Sequence, residues 1–184
     1  MRPAANDGGM PDDVPALLSR ACDESREMLA ACWDGGGKLL TCGNGGSCAD
    51  AMHLAEELTV RFCEDRRGLA AIALADATAL TCAGNDMGYE RVFARQVEAL
   101  GRPGDVLAVF STSGNSANCI AAIEVAETLG MKTIAFLGKN GGQLKGRCDA
   151  ELLVPVAKTH RVQEGHELLY HTLCEWADAY AGCS

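Results

Sequence analysis

Residues 38–57 read KLLTCGNGGSCADAMHLAEE: a short apolar run, a glycine-rich turn, and then apolar residues at helical spacing. KLLTC is too brief for a helix and reads as a buried strand. The pattern beyond the turn predicts a helix from about Ser47 to Arg61, with Ser47 as its N-cap and Asp50 at N3. Strand, glycine turn, helix is the order in which α/β proteins present backbone N–H groups to an anion. On that helix His53 and Glu57 are four residues apart, which leaves about 40° of rotation between them and puts them on one face. Two such side chains can meet one metal ion or exchange one proton.

Outward from this stretch the same alternation continues. Residues 13–33 place Val14, Leu17, Leu18, Ala21, Met28, Leu29 and Cys32 at helical spacing and stop at Asp34-Gly35-Gly36-Gly37, which predicts an amphipathic first helix. Further strands are expected at 69–75, 105–112, 132–138 and 150–156, with helices at 76–82, 88–100, 116–130 and 161–181. Short, wholly apolar strands separated by helices imply a mainly parallel sheet covered on both faces, because right-handed crossovers carry the helices outside it.

The 184-residue length suits one domain. The first ten residues or so read as a flexible tail, and residues 11–184 as a single domain. Hydrophobic residues make up 48% and no apolar run approaches the roughly 18 residues of a membrane span. The N-terminus has no apolar segment of a secretory signal, so a cytoplasmic location is expected. Ten cysteines are present, but the closest pair, Cys42 and Cys48, is six residues apart, so there is no CxxC. Free thiols acting as small core hydrophobes are the expectation. A net charge of −9, with Lys and Arg scattered, argues against a nucleic-acid partner. If the ligand is an anion, its site must be made locally attractive.

A second loop answers that need. Ser111-Thr112-Ser113-Gly114-Asn115-Ser116 follows an expected strand and precedes a helix, so hydroxyls and free N–H groups converge where the helix dipole favours negative charge. Near the C-terminus, RVQEGHELLYH offers Gln163, Glu164, His166 and His171. Gln163 and His171 lie about 12 Å apart along a helix axis, so helical geometry alone does not join them in one site. Asn85-Asp86 reads as a turn before Gly88, Arg61 and Arg66-Arg67 as solvated charge, and Met52 and Met87 as packing residues.

GNGGS with DAMHLAEEL, AGNDMGYERVF, GDVLAVFSTSGNSAN, and VQEGH followed by His171 together resemble the phosphoheptose isomerases, the sedoheptulose 7-phosphate isomerase family of SIS domains, over about residues 36–178. The resemblance implies a flavodoxin-like three-layer sandwich with a central parallel five-stranded sheet flanked by helices. It implies an aldose–ketose isomerase working through an enediol, with Glu57 as base and His171 as acid. It further implies one zinc ion per subunit on His53, Glu57, Gln163 and His171. Substrate contacts carry over to Asn44, Gly45, Gly46, Ser47, Glu57, Asn85, Asp86, Ser111, Thr112, Ser113, Ser116 and Gln163. The family pattern also implies a homotetramer with active sites at subunit boundaries, and a role at the start of bacterial ADP- or GDP-heptose synthesis. Cys48 and His160 depart from residues found in some members. Two other readings stay open here: an SIS isomerase for another sugar phosphate, and a non-catalytic SIS protein that binds the replication initiator.

Overall fold

The computed structural model describes residues 14–182, so the tail expected for residues 1–10 lies outside the described residues. Helix α1 (Val14–Asp34) leads into β1 (Leu39–Gly43), α2 (Gly46–Thr59), β2 (Ala71–Ala73) and α3 (Ala77–Met87). A 3-10 turn at Tyr89–Arg91 precedes α4 (Ala94–Leu100), β3 (Val106–Ser111), α5 (Ala117–Thr128) and β4 (Lys132–Gly138). A second 3-10 turn at Gly142–Leu144, β5 (Ala150–Val154) and α6 (Thr159–Ala181) complete the described chain.

The five strands are all parallel in the order β2-β1-β3-β4-β5. Such a sheet needs both faces covered, and the alternation along β3 supplies both. Val106, Ala108 and Phe110 join the core with Leu29, Leu54, Tyr170 and Leu173 of α1, α2 and α6. Leu107 and Val109 join Ala83, Val97, Ala122 and Ile123 of α3, α4 and α5. β1 lies between β2 and β3, and the chain leaves it toward β2 and returns to β3, which opens a crevice at the carboxyl ends of β1 and β3. Their register sets Gly43 opposite Phe110.

Three local expectations are corrected. Ser47 is not the N-cap of α2: the helix begins at Gly46, and Gly45 caps it with φ 59° and no side-chain bond. A residue with a Cβ would be strained there, so glycine rather than a hydroxyl decides where the helix starts. Helix α3 continues to Met87, capped at its start by the Asp76 side chain on the Ala79 N–H, so Asn85 and Asp86 lie in its last turn. Met52 and Met87 are about half exposed rather than packed in the core.

Arg66 is also not solvated: its guanidinium is wholly buried. It donates to the Glu57 carbonyl at 2.8 Å, the Leu58 carbonyl at 2.9 Å and the Asp178 carboxylate at 2.8 Å. The first two are carbonyls that the end of α2 leaves without helical partners, so one side chain caps that helix and ties it to α6. Burial raises the Asp178 carboxyl, but the Cys63 and Glu64 backbone N–H groups and Arg66 outweigh it and hold the pKa below the usual carboxylate range.

Removing one partner of such a pair strands a buried charge, so Arg66→Met should cost about 3–5 kcal/mol in denaturant unfolding. Asp178 has its native pKa below an unfolded value near 3.9. Its contribution is therefore complete at neutral pH and is lost as pH falls from about 4 through the native value. Asp178→Asn should lower stability at pH 7 and flatten that acid limb.

Candidate functional site

Two loops meet at the carboxyl ends of β1 and β3. In the first, Gly43 lies so close to α2 that a Cβ there would fall 2.4 Å from the Ser47 carbonyl oxygen. Ser47 is buried under the turn, with its N–H bonded to the Asn44 carbonyl. In the second, the Ser111 and Ser116 hydroxyls are 3.1 Å apart and the Gly114 N–H donates to Ser111. Ser116 caps α5 without a side-chain bond, so the helix N-terminus is not closed by its own hydroxyl. Thr112, Ser113 and Ser116 are half-buried around it. The loop is braced from behind by residues 138–144: Leu144 N–H donates to the Gly114 carbonyl and Gln143 N–H to the Asn115 side chain. Gly114 has φ 64°, and a Cβ on it would lie 1.8 Å from the Gly141 carbonyl oxygen.

Helix α6 runs beside α2 and adds the other half of the site. The Gln163 amide rests on Gly46, where a Cβ would meet Nε2 at 2.3 Å. His171, eight residues on, meets His53, with ring centroids 5.2 Å apart and nearly perpendicular. Gln163 and His171 thus contact α2 at levels seven residues apart, about 10 Å along the helix. His53 Nε2 lies 3.0 Å from Glu57 Oε1, and its Nδ1 lies 2.8 Å from the Tyr170 hydroxyl. Burial, followed by the charges of Glu167 and Asp50, pushes the Tyr170 phenol well above the usual tyrosine range. A phenol that keeps its proton can donate to Nδ1, which leaves the proton of a neutral imidazole on Nε2, facing Glu57. With the opposite tautomer Nδ1–H donates to the phenol oxygen and Nε2 is free to bind a metal.

The donors fit a cation with a preference for nitrogen and oxygen. Ligand atoms of His53, Glu167 and His171 lie within 4.8 Å of one another, as do those of His53, Glu56 and Glu57. His171 Nε2 is buried without a hydrogen-bond partner, an unsatisfied atom that a metal or substrate proton would satisfy. No thiolate joins these groups, which suits zinc in a site open to substrate oxygens.

Sequence reasoning missed several members of this neighbourhood. Tyr170 and Glu167 flank His171 on α6, and the four-residue step from Glu167 to His171 was the available signal. Asp50 is raised to about 6 by burial and then by Glu167, with His53 opposing. Asn118 is buried against Asn44. His166 lies elsewhere: it is fully buried beside Phe110 and Phe136, its Nε2–H donates to the Leu137 carbonyl, and burial drops its pKa to about 4. It is a neutral core residue. Asn85 and Asp86 are exposed and bonded to each other. Tyr89, just beyond them, reaches the glycine turn through a bond to Asn44 at 2.9 Å.

Comparison with known proteins gives this geometry its relatives. A family model described as the SIS domain matches residues 13–138. The phosphoheptose isomerase of Aliarcobacter butzleri is 56% identical, over 90% of this chain and 88% of its own. That of Helicobacter pylori is 50% identical, over 86% and 83%. Among solved structures, the phosphoheptose isomerase of Neisseria gonorrhoeae superposes with a TM-score of 0.85 at 44% identity, covering 91% of this chain and 90% of its own.

The clash behind Gly114 gives a test of how rigid the serine loop is. Gly114→Ala should displace either that loop or the Gly141 turn by more than an ångström in a crystal structure. It should also cost about 1–3 kcal/mol, as overpacking with backbone shift does.

Proposed function

The chain belongs to the SIS-domain family of phosphoheptose isomerases, and on that premise we propose that it converts sedoheptulose 7-phosphate to D-glycero-D-manno-heptose 7-phosphate. The observation that carries this reading is the meeting of His53, Glu57 and His171 between α2 and α6 of a sheet whose next strand ends in a serine-rich loop at a helix N-terminus. In the forward direction a base takes a proton from C1, the electrons move toward the C2 carbonyl, and an enediol forms. Return of a proton to C2, with loss of the O1 proton, leaves the aldehyde.

Glu57 is the proposed base. Its carboxylate is mostly shielded from water, with Oε1 3.0 Å from His53 Nε2, so its direction is fixed before substrate arrives. His171, on the facing helix, is the proposed acid that manages the oxygens. Phosphate falls to Ser111, Thr112, Ser113 and Ser116 with the α5 N-terminus. Asn44, Gly45, Gly46, Ser47, Asn85, Asp86 and Gln163 are the proposed contacts to the rest of the sugar. His53, Glu57, Gln163 and His171 would hold one zinc ion per chain, which when bound supplies polarisation of the substrate oxygens.

Exposed apolar side chains on α1 and α6 and just after α2, Leu17 at 58%, Leu168 at 71% and Val60 at 61%, favour burial by further copies. A homotetramer that completes its active sites at subunit boundaries is the proposed assembly. No described helix is long and apolar enough to cross a membrane, and we place the enzyme in the cytoplasm, at the first step of ADP- or GDP-heptose synthesis. No nucleic-acid partner is proposed.

Assay of the purified protein with sedoheptulose 7-phosphate should yield the aldose. Absence of product, with turnover of another sugar phosphate or with replication-initiator binding alone, would sink the reading. Glu57→Gln should lose at least about 10³-fold in kcat, of the size general-base catalysis contributes, while keeping its melting temperature.

Metal analysis should find about one zinc per chain, as expected for a catalytic site of this donor chemistry. A chelator should abolish activity without melting or dissociating the protein. A metal-free monomer of full activity would contradict both the zinc and the assembly.

A further inference from the structure

Asn118, on the first turn of α5, is 3% exposed, and its amide faces that of Asn44 across the crevice between the two loops. The two side chains exchange reciprocal hydrogen bonds of 2.8 Å. Their direction is not arbitrary. The Cys119 backbone N–H, which can only donate, lies 3.0 Å from Asn118 Oδ1 and fixes that atom as the oxygen. Asn118 Nδ2 must then donate to Asn44 Oδ1, and Tyr89, bonded to the same oxygen at 2.9 Å, must donate as well. Both lone pairs of Asn44 Oδ1 are taken. One Nδ2 hydrogen goes to Asn118 Oδ1, and Cys119 Sγ lies 4.0 Å from the same nitrogen. What Asn44 offers a substrate is therefore its backbone and those of the glycines after it.

We propose that Asn118 is a positioning residue for the isomerisation: it orients the Asn44 amide and so locks the glycine turn at a fixed separation from the serine loop. The proposal rests on the isomerase reading of the site. One loop is assigned to the sugar and the other to its phosphate, so the lock sets how far the reacting carbons lie from the phosphate anchor. A slack turn would still bind phosphate but would present C1 and C2 poorly to Glu57.

The test uses the full-length enzyme with Asn118→Ala, Asn118→Asp, Asn44→Ala and the double Asn118→Ala/Asn44→Ala variant. Steady-state kinetics are read with sedoheptulose 7-phosphate and inhibition with inorganic phosphate. Asn118→Ala and Asn44→Ala should each lower kcat about 10- to 100-fold, as small misplacements of reacting atoms do. The double variant should be no worse than the poorer single one, because both remove the same lock. Phosphate inhibition by Asn118→Ala should stay within about twofold of the unmutated enzyme, since hydrogen bonds to the phosphate are untouched. If Asn118→Ala does not fold, Asn118→Asp decides. Its carboxylate keeps the bond to Cys119 N–H and suits a helix N-terminus, but sets an acceptor against Asn44 Oδ1. It should melt normally and lose kcat as the alanine variant does.

An unchanged kcat in the folded variants, or losses that multiply in the double variant, would overturn the lock. An unmutated protein that fails to turn over the heptose would overturn the isomerase reading instead. Hydrogen exchange at Gly45–Cys48 needs no substrate and judges the lock on its own: faster exchange in Asn118→Ala supports it, and unchanged exchange overturns it.

Discussion

The ladder between β1 and β3 is the constraint on which the site depends. These strands pair residue for residue from Leu39 with Val106 to Gly43 with Phe110, so they end within one residue of each other. Each is followed by a turn into a helix, and the two turns are held one inter-strand spacing apart by backbone bonds that no surface substitution alters. The Asn44–Asn118 amide pair closes the gap above the last ladder rung. Rigid strands set the height and a buried polar pair sets the width, which is how loop residues come to hold catalytic tolerances.

Helix α2 then needs a second support, because a helix fixed only at its start can swing at its end. Its last turn is held by Arg66, whose guanidinium fills carbonyl positions and reaches Asp178 on α6. Its middle is held by Tyr170, which bonds His53. The acid–base pair proposed here therefore lies between two anchors to the same neighbouring helix. Phe110 and Phe136, stacked with centroids 4.2 Å apart and flanked by His166, form the layer of sheet beneath α6.

The sheet, its parallel sense and the glycine and serine turns after β1 and β3 were legible in the sequence, because wholly apolar strands and glycine or serine turns are local signals. The contact between His53 and Glu57 on one helix face was legible for the same reason. What escaped was set by distance along the chain: Arg66 with Asp178 spans 112 residues, Tyr170 with His53 spans 117, and Asn44 with Asn118 spans 74. A lone Arg or Asn carries no periodicity to betray its partner. Ser47 misled for a different physical reason: hydroxyl residues favour N-caps, but the turn demands a positive φ one residue before the helix, which Gly45 alone adopts without strain.

Charge bears on how an acidic chain would hold the proposed phosphate. Arg66 faces inward to helix carbonyls, Lys38 is paired with buried Asp105, and Lys132 is paired with Asp149. These cations are committed to holding the fold together. Attraction for the proposed phosphate at the serine loop would come instead from peptide dipoles: the N-terminus of α5 and the N–H groups of a turn pinned by Gly114 and Gly142. A dipole of this kind is fixed in direction and carries no side-chain entropy. It can orient an anion without committing a lysine or arginine to the site.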